Sequence, residues 1–176
     1  VGRVSSAELR SFTGAAAPSL KALIAAGLVS VETEEVFRRP DGFSGSAAPP
    51  PELNTEQRSA FEGILAMADG TASAALLQGV TGSGKTTVYI RLIAEMLRRG
   101  KSSILLVPEI ALTPQMLRTF SSHFGDEIAV LHSSLSMGER YDEWKRIRAG
   151  RARVVIGTRS AVFAPCADLG MIIIDE

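Results

Sequence analysis

The sequence predicts an α/β domain built on a central parallel sheet, with a smaller helical unit in front of it. Three observations carry that prediction. Four short apolar runs, Ile104-Leu105-Leu106-Val107, Ile128-Ala129-Val130-Leu131, Val154-Val155-Ile156 and Met171-Ile172-Ile173-Ile174, have no polar alternation. Strands buried on both faces read this way, and such strands belong to parallel sheets. Amphipathic stretches lie between several of these runs, as crossover helices require. A glycine-rich loop, Gly79-Val80-Thr81-Gly82-Ser83-Gly84-Lys85-Thr86, stands between an apolar run and a helical one.

Residues 1–38 read as helix, helix and hairpin. Ser5 or Ser6 is placed to cap a short helix carrying Leu9 and Phe12, and Thr13-Gly14 makes a turn. A second helix carries Leu20, Leu23 and Ile24, and Gly27 stops it. Leu28-Val29-Ser30-Val31 and Glu35-Val36-Phe37-Arg38 are expected as two short strands around an acidic turn. This outline is that of the later part of a winged helix-turn-helix, without its first helix. Lys21 is the only basic residue of the alanine-rich second helix, which argues against direct base readout and for a small packing unit. Residues 39–53 hold Pro40, Gly42, Gly45 and Pro49-Pro50-Pro51 and are expected as a semi-rigid linker.

From Asn54 onward the α/β pattern begins. Thr55 is expected to cap a helix with Phe61, Ile64 and Leu65 on one face. Ala74-Ala75-Leu76-Leu77 is expected as the strand that leads into the glycine loop. The helix after the loop runs from Thr86 to about Arg99, with Val88, Leu92, Met96, Tyr89, Ile93 and Leu97 inward. Met116, Leu117, Phe120 and Phe124 mark another helix, with Thr113 as N-cap and Pro114 at the first helical position. Tyr141, Trp144, Ile147 and Arg148 lie on a further one. Ligands of such sheets bind beyond the carboxyl ends of strands. Gly79, Pro108, Gly157 and Asp175 all stand there.

Composition narrows the class. The chain has 176 residues, 45% of them hydrophobic, enough for a real core beside a small appendage. No apolar run has the length of a membrane span and no signal peptide is visible, so a cytoplasmic protein without membrane contact is expected. A single cysteine, Cys166, excludes a disulfide or a cysteine-cluster zinc site within these residues. A structural thiol near a strand end fits it better than a nucleophile. Net charge is zero, but seven basic residues between Arg140 and Arg159 (Arg140, Lys145, Arg146, Arg148, Arg151, Arg153, Arg159) face only Asp142 and Glu143. That run is either a solvated helix face or part of a phosphate-tracking surface.

The chemistry sits in the loop. Gly79 to Thr86 fits the phosphate-binding pattern G-x-x-x-x-G-K-[ST] at every fixed position. Glycines let backbone N–H groups point at a polyphosphate, and the helix behind presents its positive end. Lys85 reaches β- and γ-phosphates, and the Thr86 hydroxyl ligates Mg²⁺. Asp175-Glu176, after an apolar strand, has the Walker B arrangement. Asp175 would hold Mg²⁺ near Thr86, and Glu176 would polarise the attacking water. The alternative for the pair is two solvated carboxylates.

Further segments carry a resemblance. Val107-Pro108-Glu109-Ile110-Ala111-Leu112-Thr113-Pro114-Gln115 is similar to helicase motif Ia. Ile156-Gly157-Thr158-Arg159-Ser160-Ala161-Val162-Phe163-Ala164-Pro165 is similar to the motif with a Thr-Arg-Ser-Ala core. With the phosphate loop, His132-Ser133-Ser134-Leu135 and the final Asp175-Glu176, the order resembles the primosomal replication-restart helicases of bacteria, DEAH-type members of superfamily 2. The similarity runs from about residue 5 to the end and is weaker across the linker.

The resemblance implies a partial winged helix over residues 1–38, a linker over 39–53, and a first RecA-like P-loop NTPase lobe over 54–176, truncated at the acidic box. It implies ATP and Mg²⁺ as cofactors and 3′→5′ unwinding of DNA in replication restart. Single-stranded and forked DNA, primosome proteins and single-strand-binding protein would be the partners. Gln57 would recognise adenine, and Gly79, Val80, Thr81, Gly82, Ser83, Gly84, Lys85 and Thr86 would bind the triphosphate. Thr113, Thr158, Arg159 and Ser160 would touch the single-strand backbone, as hydroxyls and a guanidinium can without reading sequence. Zinc would belong to a cysteine-rich region of full-length members, outside these residues. Thr87 departs from the pattern, since many members carry Glu there, but Thr86 keeps the metal role. The expected histidine after Glu176 and a second lobe are not in the sequence, so residues 1–176 alone are expected to bind nucleotide but not to unwind. Two other readings stand beside this one: a nucleotide-sensing DNA-binding scaffold, and a P-loop small-molecule kinase, which would need a lid and an acceptor pocket.

Overall fold

The computed structural model of the chain describes residues 4, 6–14, 17–32, 48–68 and 73–175. These fall into two units, residues 1–36 and 37–176.

In the first unit, α1 (Ser6–Thr13) and α2 (Ala17–Ala25) are the two expected helices. α2 ends in a Schellman motif at Gly27, whose N–H donates to Ile24 O (3.0 Å) while Leu28 N–H donates to Leu23 O (3.1 Å). Of the expected hairpin, residues 28–32 form no strand, and residues 33–38 lie outside the described residues.

The second unit contains α3 (Thr55–Ala68), α4 (Lys85–Arg98), β1 (Ser102–Leu106), α5 (Pro114–Phe124), β2 (Ile128–Leu131), α6 (Met137–Arg148), β3 (Val154–Gly157) and β4 (Leu169–Ile174). The strands form one sheet in the order β2-β3-β1-β4, and every pairing is parallel. The α/β fold with a central parallel sheet is thus present as expected. All four apolar runs are strands.

Side-chain alternation along the strands divides the core in two. Leu105, Val154, Ile156, Ile128, Val130 and Ile173 join Val88, Leu92 and Ile93 of α4 and Phe120 and Phe124 of α5. On the opposite face Ile104, Val155, Ala129 and Leu131 meet Ile147 of α6 and Ala161. α5 carries the chain from β1 outward to β2, and α6 brings it back to β3. Right-handed crossovers in opposite directions put their helices on opposite faces, as found here.

β2 is an edge strand, and α6 satisfies its outer backbone. Glu143 accepts from Val130 N–H (3.1 Å) and from Arg146 (2.7 Å), while Arg146 donates to Ile128 O (3.0 Å) and Asp126 O (2.8 Å). Both side chains are buried, at 1% and 5% exposure. The expectation that Arg146 belongs to a solvated or phosphate-tracking face is therefore corrected. It caps a sheet edge. The rest of the basic run stays mostly at the surface, as a solvated face would, with Arg140, Arg148, Arg151 and Arg159 exposed. Arg153 forms a bidentate pair with Glu127 (2.8 Å each), Lys145 lies over Tyr141 and Arg148 over Trp144. Arg140 donates to Ser133 O (3.4 Å).

Two further local expectations are corrected. The cap of α3 is Asn54, not Thr55: Asn54 Oδ1 accepts from Gln57 N–H (2.9 Å), and Gln57 Oε1 accepts from Asn54 N–H (3.1 Å). This reciprocal pair is the capping-box geometry with an amide at each end. Ala74-Ala75-Leu76-Leu77 is not a strand. An open groove of about 980 Å³ lies between residues 73–79 and β4, so that segment has no ladder partner among the described residues. Residues 48–53 of the expected linker lie on this second unit. Ala48 N–H donates to Ser122 O (2.6 Å), and Leu53 is buried in the core.

Candidate nucleotide and nucleic-acid site

The loop 79–84 enters α4 through Gly84, which holds φ +84° as N-cap and leaves the helix without a side-chain cap. Thr87 N–H already donates to Gly84 O (3.0 Å), while the N–H groups of Lys85 and Thr86 have no intrahelical acceptor and form an anion-binding end. Lys85 begins the helix. Its ammonium donates to Gly79 O (2.7 Å) and Val80 O (3.3 Å), so it spans the mouth of the loop. Thr86 beside it is exposed. A Cβ at Gly79 would stand 2.6 Å from Ser83 Oγ, so that exposed hydroxyl would have to rotate aside. Val80, Thr81, Gly82 and Ser83 form the exposed rim, with the Ser83 N–H donating back to Val80 O (3.1 Å).

Gln57 reaches this loop from α3. Its Nε2 donates to Ser83 O (3.2 Å) while its Oε1 holds Asn54 N–H. The carboxamide thus ties the start of α3 to the loop. One Nε2 hydrogen and one Oε1 lone pair remain for a base edge.

Asp175 stands just past β4, where its N–H donates to Leu106 O (2.9 Å). Asp175 Oδ1 accepts from the Tyr89 hydroxyl (3.0 Å), one helical turn beyond Lys85. Burial, followed by the hydrogen bond and charge of Asp175, pushes the Tyr89 phenol well above its ordinary range, so it donates at every working pH. The sequence reading missed this pair. Its signal was a buried tyrosine in the turn after the lysine, since a buried phenol needs an acceptor. Glu176 lies outside the described residues. The donor set of the Thr86 hydroxyl and the Asp175 carboxylate is all hard oxygen, which suits Mg²⁺. Among the described residues no cluster of histidine, cysteine and acidic side chains forms a metal site.

Because all four strands are parallel, their carboxyl ends share one edge of the sheet. The loops after β1, β2 and β3 gather there with Asp175. Thr113 caps α5, accepting from Met116 N–H (3.2 Å), with Pro114 at the first helical position. Thr158 is half-buried, its N–H bonded to Leu131 O (3.2 Å). It precedes a single 3₁₀ turn, Arg159–Phe163. Arg159 and Ser160 are exposed, and Arg159 has no ion-pair partner among the described residues. Ser133, after β2, donates to Glu109, after β1. Neither this link nor Gln57's bond to the loop backbone was visible in sequence, because both join residues far apart in the chain. Cys166 is half-buried, and burial raises its thiol pKa. No helix among the described residues is long and apolar enough to cross a membrane.

Residues 54–176 match the DEAD/DEAH box helicase family. Among curated relatives, the replication restart protein PriA of Bacillus subtilis is 48% identical over 177 residues, covering 99% of this chain and 22% of that protein. PriA of Synechocystis is 42% identical over 170 residues, 97% of this chain and 20% of that protein. PriA of Treponema pallidum is 52% identical over 124 residues, 70% of this chain and 19% of that protein. The chain spans about a fifth of the length of these relatives.

Proposed function

The chain belongs to the DEAD/DEAH box helicase family, and we propose that it supplies the ATP-binding lobe of a replication-restart DNA helicase. In this reading residues 1–38 are part of a winged helix, 39–53 a linker and 54–176 the first RecA-like lobe. The observation that carries the proposal is the shared sheet edge. The phosphate loop and Asp175 lie beside the strand-end loops that hold Thr113, Thr158, Arg159 and Ser160. One edge can thus present nucleotide ligands and phosphate-tracking groups side by side.

The roles follow from the geometry. The loop amides and the open end of α4 take the triphosphate, and Lys85 moves its ammonium from its own loop carbonyls to the β- and γ-oxygens. Thr86 and Asp175 are the residues that would hold Mg²⁺, which, when bound, neutralises charge developing on the transferring phosphoryl. Glu176 acts as the base that orients the attacking water. Gln57 offers its remaining donor and acceptor to adenine. The uncapped guanidinium of Arg159 and the hydroxyls of Thr113, Thr158 and Ser160 contact the strand backbone without reading bases. Single-stranded and forked DNA is the substrate, primosome and single-strand-binding proteins are the partners, and the protein works in the cytoplasm. Residues 1–176 alone bind nucleotide but do not unwind, because strand movement requires a second lobe to close on ATP.

Titration of residues 1–176 with a fluorescent ATP analogue tests the proposal, beside Lys85→Ala and, for single-stranded DNA, Arg159→Ala. Lys85→Ala should weaken nucleotide binding at least about 10-fold, the scale of a lost charge-assisted contact. Arg159→Ala should weaken DNA binding uniformly across sequences and lower the salt slope by about one unit. Nucleotide binding indifferent to Lys85, or robust duplex unwinding by residues 1–176, overturns it. DNA-independent phosphorylation of a metabolite would instead establish a kinase.

A further inference from the structure

Tyr89 is 7% exposed and lies on the face of α4 that packs against the sheet, in the turn that follows Lys85 and Thr86. Its ring is held in the core with Val88, Leu92, Leu105 and Ile173, so the hydroxyl has little freedom of direction. That hydroxyl meets Asp175 Oδ1 at 3.0 Å. The main chain of Asp175 is fixed independently by its N–H bond to Leu106 O at 2.9 Å. A half-buried aspartate at a strand end otherwise samples several rotamers.

We propose that Tyr89 is a positioning residue that fixes the Asp175 carboxylate for Mg²⁺–nucleotide binding. The phenol occupies one lone pair of Oδ1 and leaves Oδ2 available to a metal ion. Through α4 it also sets the distance between the Asp175 carboxylate and the Thr86 hydroxyl, since Tyr89 and Thr86 belong to the same rigid helix. The inference rests on the nucleotide-binding reading of the loop and adds a residue to it. The alternative is a packing role, in which the ring matters and the hydroxyl does not.

Tyr89→Phe separates the two, because it keeps the ring and removes only the hydroxyl. ATP affinity of residues 1–176 is measured with Mg²⁺ and again in EDTA, with thermal unfolding alongside. The expected result is a Mg²⁺-dependent gain in affinity reduced about 3- to 10-fold in Tyr89→Phe, the scale of one neutral hydrogen bond, with the EDTA affinity unchanged. In an Asp175→Ala background the Tyr89→Phe change should be silent. A Mg²⁺ gain equal to that of the unaltered chain overturns the inference, as does an equal loss with and without Mg²⁺, which would mark a packing role. An unaltered chain that binds no ATP under either condition overturns the nucleotide-binding reading itself and this inference with it.

Discussion

Gly84→Ala tests the loop geometry most directly. Gly84 holds φ +84°, where an alanine Cβ is strained by about 1–2 kcal/mol. The added methyl would also collide with Gln57 Nε2. Gln57 can swing away only by giving up its bonds to Ser83 O and Asn54 N–H. Each such exposed hydrogen bond contributes about 0.5–1 kcal/mol, so the collision adds about 1–2 kcal/mol and the total is about 2–4 kcal/mol. Gly82 supplies the control. It holds φ +81°, and an added Cβ would have nothing within 4 Å. Gly82→Ala should therefore cost the strain alone. Urea denaturation of both variants, repeated in a Gln57→Ala background, forms a double-mutant cycle. Residues 57 and 84 should couple by about 1–2 kcal/mol, and residues 57 and 82 by less than about 0.5. A Gly84→Ala penalty that Gln57→Ala does not reduce would refute the proposed tie between α3 and the loop.

Two other sites give sharp expectations. Glu143→Ala leaves the Arg146 guanidinium buried without its carboxylate and Val130 N–H without its acceptor, a change expected to cost about 3–5 kcal/mol. Urea denaturation reads this directly, and a loss below about 1 kcal/mol would show that α6 does not hold the β2 edge. Glu95 tests the acid limb: its hydrogen bonds to Arg98, then Arg99, lower its pKa from 4.5 to about 2. The folded state binds this proton more weakly than the unfolded chain, so the contribution is complete above pH 4.5 and lost as pH falls towards 2. The melting-temperature gap between the unaltered chain and Glu95→Gln should close across that window, and a constant gap would remove Glu95 from the acid response.

What the sequence made legible was local. β1, β2 and β3 are buried on both faces, as a stretch without polar alternation requires, whereas β4 is a strand that leaves Ile172 and Ile174 exposed beside the groove. Thr113 before Pro114 could be read as a cap because both devices act within one turn. The misreadings arose where two equally good local candidates compete, or where a partner is distant. Asn54 and Thr55 are both good caps, and Asn54 prevails because Gln57 stands three residues on and returns the bond. Ala74 to Leu77 has strand composition, but a strand requires a neighbour at ladder distance, and here a groove separates the segment from β4. Arg146 carried the composition of a solvated face, yet a helix packed on an edge strand turns a cation inward when strand carbonyls await donors. The Tyr89–Asp175 bond joins residues 86 positions apart, beyond the reach of any periodicity.

The same long-range bonds explain how one sheet edge could serve two ligands. Across the strand ends, Asp175 N–H donates to Leu106 O, Val107 N–H to Gly157 O, and Thr158 N–H to Leu131 O. These three bonds link all four strands just where the loops depart. The Asp175 end of the series is tied through Tyr89 to the helix that carries Lys85 and Thr86. The far end is the backbone of Thr158, next to Arg159. Gly157 sits in the middle, where a Cβ would collide with Leu131 O, so the strand ends are drawn too close for any side chain. The three bonds thus form an unbroken row from the proposed metal ligand to the proposed strand-contacting loop.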